Sequence, residues 1–103
     1  MTASEMLKDV MSIATKMKEN MMKAKSAGHA KEEIFMEDGN FMDENGNVWM
    51  RDGSFFHRDG YIMSHDSKIY DINGNEITRK DAIINLMKDL TRLIRALIWK
   101  ILL

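Results

Sequence analysis

From Glu33 to Arg79 a turn dipeptide returns every seven residues: Asp38-Gly39, Asn45-Gly46, Asp52-Gly53, Asp59-Gly60, Asp66-Ser67 and Asn73-Gly74. A two-residue type I′ hairpin turn needs positive φ at both central positions, which Gly adopts freely and Asn or Asp at small cost. Five of the six fit, and Asp66-Ser67 departs. Two turn residues in a period of seven leave five per strand, so the sequence predicts strands near 33–37, 40–44, 47–51, 54–58, 61–65, 68–72 and 75–79. Tight turns join them into an antiparallel meander. Residues paired across a two-residue turn share a face, so the register can be carried through the sheet. It aligns Phe35, Met42, Trp49, Phe56, Met63, Tyr70 and Ile77 into one apolar stripe. The reverse face then holds a column of Met36, Phe41, Met50, Phe55, Ser64, Ile69 and Thr78, and another of Ile34, Asp43, Val48, His57, Ile62, Asp71 and Glu76. Both faces are more apolar than a solvated face should be, so both are expected to be at least partly covered.

Helices flank the repeat. Thr2-Ala3-Ser4-Glu5 has capping-box spacing and predicts a helix over about 3–27, closed by Gly28 at C′. Its apolar face is Met6, Val10, Ile13, Ala14, Met17, Met21 and Ala24, widened by Leu7, Met11 and Met22. Thr78-Arg79-Lys80-Asp81 repeats the start signature and predicts a second helix over about 79–102. There Ile83, Leu86, Met87, Leu90, Leu93, Ile94, Leu97, Ile98 and Ile101 fill about half the circumference, with Asn85, Lys88, Asp89, Arg92, Arg95 and Trp99 opposite. A face that wide exceeds one sheet contact, so this helix should pack on two things. Each helix is about 35 Å long, and seven strands span about 30 Å, so either helix could lie along the stripe. The predicted class is α+β in one domain over 1–103: helix, seven-stranded meander, helix.

A chain of 103 residues is near the lower end of sizes that bury a self-sufficient core, so a partner subunit would help. The expected assembly is a homo-oligomer, dimeric or higher, through the sheet face or the final helix. Net charge is −1 overall, but residues 34–78 carry −6 and residues 79–103 carry +4. The basic tail can dock on its own acidic middle or on another copy. There is no Cys, so disulfides and thiolate metal sites are excluded. Glu5 and Asp9 break the pattern of a signal peptide, and Lys88, Asp89, Arg92 and Arg95 exclude a transmembrane span in the tail, so a cytoplasmic location is the default expectation.

Motifs for chemistry are weak. His57-Arg58-Asp59 matches the first letters of the protein-kinase catalytic loop, without a glycine-rich loop or the necessary length. Asp71, Asn73 and Asn75 suggest a calcium loop, but Glu76 and Ala82 stand where that loop needs Gly and a bidentate acid. His57 and His65 are predicted on opposite sheet faces and His29 in a linker, so no histidine metal site is expected. His57, between Asp43 and Asp71 in one column, reads as a charge-balanced sheet residue. No nucleophile elbow or acid–base carboxylate pair appears, so the sequence predicts no enzyme, no metal and no cofactor. The segment Tyr70-Asp71-Ile72-Asn73-Gly74-Asn75-Glu76-Ile77-Thr78 resembles one unit of the YD repeats of large bacterial toxin shells. The resemblance spans nine residues, rests on hairpin chemistry, and carries no function to this chain.

The remaining signals concern partners. An aromatic stripe with Arg51, His65, Lys68 and Arg79 beside it has the logic of a single-stranded nucleic-acid platform, although matched helix lengths and the acidic sheet favour a core beneath a helix. Trp99 projects from the polar side of the last helix among Lys88, Arg92 and Arg95. It reads either as a cation–π partner of Arg95 or as an anchor for another protein. The basic, apolar tail also suits a membrane surface. The sequence therefore predicts a non-enzymatic protein-interaction or structural module that self-associates and binds another protein, with Trp99, Arg92, Arg95 and Lys88 as candidate partner-binding residues. Nucleic-acid binding and peripheral membrane association are the alternatives.

Overall fold

A computed structural model describes residues 3–26 and 34–102. Its order is α1 (Ala3–Ser26), β1 (Ile34–Glu37), β2 (Asn40–Asp43), β3 (Val48–Trp49), β4 (Phe55–His57), β5 (Tyr61–Met63), β6 (Ile69–Asp71) and α2 (Lys80–Leu102). The strands pair consecutively and antiparallel into one sheet of six, not seven. The expected last strand over 75–79 contracts to a single bridge, Tyr70 to Glu76, with the Ile77 amide donating to the Ile69 carbonyl at 2.7 Å. The chain must leave the sheet there because the Arg79 carbonyl already accepts the Ile83 amide in the first turn of α2. Thr78 therefore lies outside that turn and is not its cap. The expected Thr2 capping box and Gly28 stop fall outside the described residues.

Turn geometry departs from the expected register. Asp38-Gly39 is the two-residue turn expected, with φ of 52° and 81°. Every later connection has three residues: 44–46, 51–53, 58–60, 65–67 and 72–74. In each, the third residue donates its amide to the residue before the loop, as Gly46 does to Asp43 and Gly74 to Asp71. The residue in the left-handed region is Gly46, Gly53, Gly60, Ser67 or Gly74, and the Asn or Asp before it keeps negative φ. This is the type I turn with a G1 bulge, which needs only one left-handed residue. Ser67 meets that requirement at φ 69° in the repeat that lacks Gly.

One extra loop residue moves each pairing by one position, and a shift of one flips a strand's side chains to the other face. Phe41 pairs with Trp49, Trp49 with Phe55, and Phe55 with Met63, while Met42 pairs with Val48 and Phe56 with Ile62. The single stripe expected from the turn period therefore does not form. Phe35, Met42, Phe56 and Tyr70 belong to the core under α1, together with Val48, Met50 and Ile62. Trp49, Met63 and Ile77 belong to the core under α2, together with Ile34, Phe41, Phe55 and Ile69. The molecule is a sheet between two helices, and both faces are covered by the chain itself.

Each helix buries one stripe. From α1 it is Leu7, Val10, Ala14, Met17 and Met21, whereas Ile13 stays exposed. From α2 it is Ala82, Leu86, Leu90, Leu93 and Leu97. Lys100 crosses to the edge strand, where its ammonium donates to the Ile34 carbonyl at 3.1 Å.

Loop side chains complete the frame. Asp43 and Asp71, each in the position before a loop, accept amides two and four residues on: Asn45 and Asn47 for the first, Asn73 and Asn75 for the second, all at 2.9 Å. Asn40 accepts the Arg51 amide and Asn47 the Arg58 amide, which ties neighbouring loops together. Among the described residues no buried side-chain nitrogen or oxygen lacks a partner.

Candidate functional site

The loops alternate between the two ends of the strands. Loops 44–46, 58–60 and 72–74 share one end, and the 38–39 turn with loops 51–53 and 65–67 share the other. His57 closes β4 at the first end with its ring 1% exposed. Its Nε2 lies 2.5 Å from Asp89 Oδ2, and its Nδ1 accepts the Asp59 amide at 3.2 Å. With Nδ1 accepting, the ring proton sits on Nε2 and is donated to the Asp89 carboxylate. The Asp59 carboxylate stops at 3.6 Å, beyond hydrogen-bond range. Arg58 and Arg92 approach Asp89 at 3.7 and 3.6 Å and complement its charge. Tyr61 stacks on the imidazole and Phe55 meets it edge-on.

Sequence periodicity had placed Asp89 on the solvent side of α2 and His57 between Asp43 and Asp71. Asp89 is instead buried, and the neighbours of His57 in its column are Asn47 and Tyr61. A general base needs a nitrogen within reach of substrate. Here both nitrogens are engaged and the ring is enclosed, so the pair ties helix to sheet.

The other chemical motifs resolve similarly. Asp71 spends its carboxylate on the amides of its own loop, which is the geometry of an Asx turn and not of a calcium loop. No group of three or more His, Cys, Asp or Glu is placed for a metal among the described residues. The aromatic stripe is divided between two covered faces, so its side chains do not line up as the single stacking platform that the nucleic-acid alternative requires. No described helix is long and apolar enough to cross a membrane.

What remains is the outer surface of α2. Lys88, Arg92, Arg95 and Trp99 are all exposed, as expected, and lie within one arc of about 60°. Trp99 is 67% exposed. Neither it nor Arg95 makes a cation–π contact among the described residues, so the local stack suggested by their spacing does not form. Arg92 turns back to Asp89, whereas Lys88 and Arg95 carry no ion pair among the described residues.

An apolar flank adjoins this arc: Ile84, Met87, Ile98, Ile101 and Leu102 are each between 45% and 75% exposed. An open depression of about 550 Å³ runs between Ile83, Ile84 and Met87 on one side and Lys88, Arg92 and Arg95 on the other. The sequence signalled this flank through the wide apolar arc of the helix. It gave no sign of which half would be buried, because Asp89 fixes the roll of α2 on the sheet. Comparison with protein-family models, curated proteins and solved structures finds no match to this chain.

Proposed function

We propose that this chain is a non-enzymatic protein-interaction module that docks another polypeptide on the outer flank of α2. The observation that carries this reading is the exposed apolar row of Ile84, Met87, Ile98 and Ile101 on a helix that already buries a separate row in its own core. A helix with one packing partner has one apolar stripe, and α2 has two. Exposed Trp99 beside Arg92 and Arg95 has the composition of an interface hot spot. Self-association and capture of a different protein both use such a face.

The test is a pair of surface variants, Ile98→Asp and Trp99→Ala, checked for native circular dichroism. Chemical crosslinking and sedimentation, for association of the chain with itself, and anisotropy of a labelled amphipathic Ile/Leu peptide, for docking of another polypeptide, then compare them with the parent chain. Loss of all intermolecular species in Ile98→Asp, with the fold intact, supports the reading. Undiminished association in both variants rules out α2 as the docking surface.

A further inference from the structure

The groove beside α2 has a shape and a charge that specify its occupant. Ile84, Met87, Thr91, Ile94, Ile98 and Ile101 follow one another at alternating three- and four-residue spacing, the period that keeps a seam facing a second helix. Thr91 does not interrupt the row, because its hydroxyl donates to the Met87 carbonyl at 2.8 Å and leaves the methyl for a neighbour. Asp89 meets His57 and Arg58 at one end of the strands, so the opposite flank of α2 leans toward the other end. There Phe41, Trp49 and Met63 are only half-buried and Met36 is exposed. The seam therefore runs above half-buried apolar residues of the sheet, and the depression on α2 opens along it at Ile84, Met87 and Thr91.

We propose that this groove takes an amphipathic helix of another protein that carries acidic residues along its outer edge; this rests on the reading of α2 as a docking surface. Charge decides the occupant. Lys88 and Arg95 line the outer rim with no ion pair among the described residues, and they sit two helical turns apart, about 10.5 Å. Acids seven residues apart on the incoming helix would meet both. The exposed acid of α2, Asp81, lies back in the first turn. A second copy fits less well. Pairing the seams antiparallel about a two-fold axis sets Lys88 of one copy beside Arg95 of the other, twice, and like charges there oppose association. A bilayer surface offers no counterpart to the regular three- and four-residue spacing of the seam, which is the pattern that meets a second helix. The apolar side chains α2 leaves bare, Ile84, Met87, Ile98, Ile101 and Leu102, adjoin one another along one flank, which is the form of an interaction site and not of singly scattered surface residues.

Two synthetic peptides test this. They share an Ile/Leu seam at alternating three- and four-residue spacing and differ only in having Glu or Lys along one edge. Fluorescence anisotropy of each labelled peptide is titrated with the full chain. The Glu peptide is expected to bind about tenfold more tightly than the Lys peptide, and the double variant Lys88→Glu/Arg95→Glu should reverse that order. Ile98→Asp should abolish binding of both while the circular dichroism stays native. Equal affinities, no reversal, or no binding of either peptide overturns the assignment. So does a dimer in sedimentation that Ile98→Asp dissociates and the Glu peptide leaves intact. Co-sedimentation with phosphatidylglycerol vesicles that the Glu peptide does not relieve overturns it in favour of lipid. If charge exchange fails while Ile98→Asp still removes crosslinked species, only the acidic-helix assignment falls. If Ile98→Asp changes nothing, the docking surface falls with it.

Discussion

Among the described residues His57 and Asp89 form the one place where the sheet and α2 are joined through a pair of buried polar side chains, and their energetics are asymmetric. Removing one partner strands the other in a dry environment, whereas removing both need not. Asp89→Ala leaves the Nε2 proton without an acceptor, with Arg58 deprived of its buried counter-charge, and is expected to destabilise the chain by about 1–3 kcal/mol. The double variant His57→Leu/Asp89→Leu should lose less than the sum of the two single changes. Urea denaturation of the parent chain, His57→Leu, Asp89→Leu and the double variant measures this, and additive losses would show that the pair is not coupled. Ser67 offers a change of opposite sign. It holds φ 69° where the other three-residue loops place Gly, a strained conformation for a side chain with Cβ. Ser67→Gly is expected to raise stability by about 0.5–1 kcal/mol, read as a higher urea midpoint. Gly39→Ala should lower it, because a Cβ there meets the Arg51 side chain at 3.0 Å with φ at 81°.

At the scale of the hairpins, the loop acids link the fold to pH. The Ser54 hydroxyl and then its amide hold the Asp52 carboxyl below the usual carboxylate range. Hydrogen bonds from Ser64 and Lys68 do the same for Asp66, and those of Asn75 for Asp71. A carboxyl whose pKa falls on folding binds its proton less readily in the native state, so its contribution is complete above the unfolded value near pH 4. It disappears as pH drops through the depressed native values. Unfolding free energy should therefore decline below about pH 4, and Asp52→Asn/Asp71→Asn should flatten that decline. An unchanged slope in the variant would place the acid sensitivity elsewhere.

The same loops explain what could be read beforehand. Helix limits were legible from periodicity: α1 and α2 begin and end within a residue of their expected bounds where these are described. Hairpin number and order were legible from the dipeptides, except for the last strand, which α2 forecloses. Register was misread because Asn-Gly and Asp-Gly satisfy two turn types. In two of the five three-residue loops an earlier residue carries the clue, since Asp at the first position of a type I turn and Gly at the fourth is that turn's signature, whereas Met50 and His57 hold that first position in two others and give none. Asp43 with Gly46 and Asp71 with Gly74 display it, whereas Glu37 before Asp38 does not. Asp89 was missed because a lone acid in a helix among basic residues has no local feature that distinguishes burial from exposure.

The whole molecule carries two cores of different character, one on each side of a thin sheet. Beneath α1 are Met17, Met21, Met42 and Met50, flexible side chains that fill space adaptably. Beneath α2 are Leu86, Leu90, Leu93 and Leu97 with Phe55, and the Asp89 and Lys100 ties add to them. Met17→Leu should cost less than about 1.5 kcal/mol, whereas Leu93→Ala should cost about 2–5. Amide hydrogen exchange should find α1 opening at lower free energy than α2, and equal protection would mean that the two cores open as one. Division of the faces between alternate strands also sets the increment by which such a chain can change length. Adding or removing one seven-residue unit preserves every hairpin yet turns all later strands inside out, sending residues fitted to one helix toward the other. The smallest inheritable step is therefore fourteen residues, two strands together, and sheets of this kind should lengthen or shorten in pairs of strands.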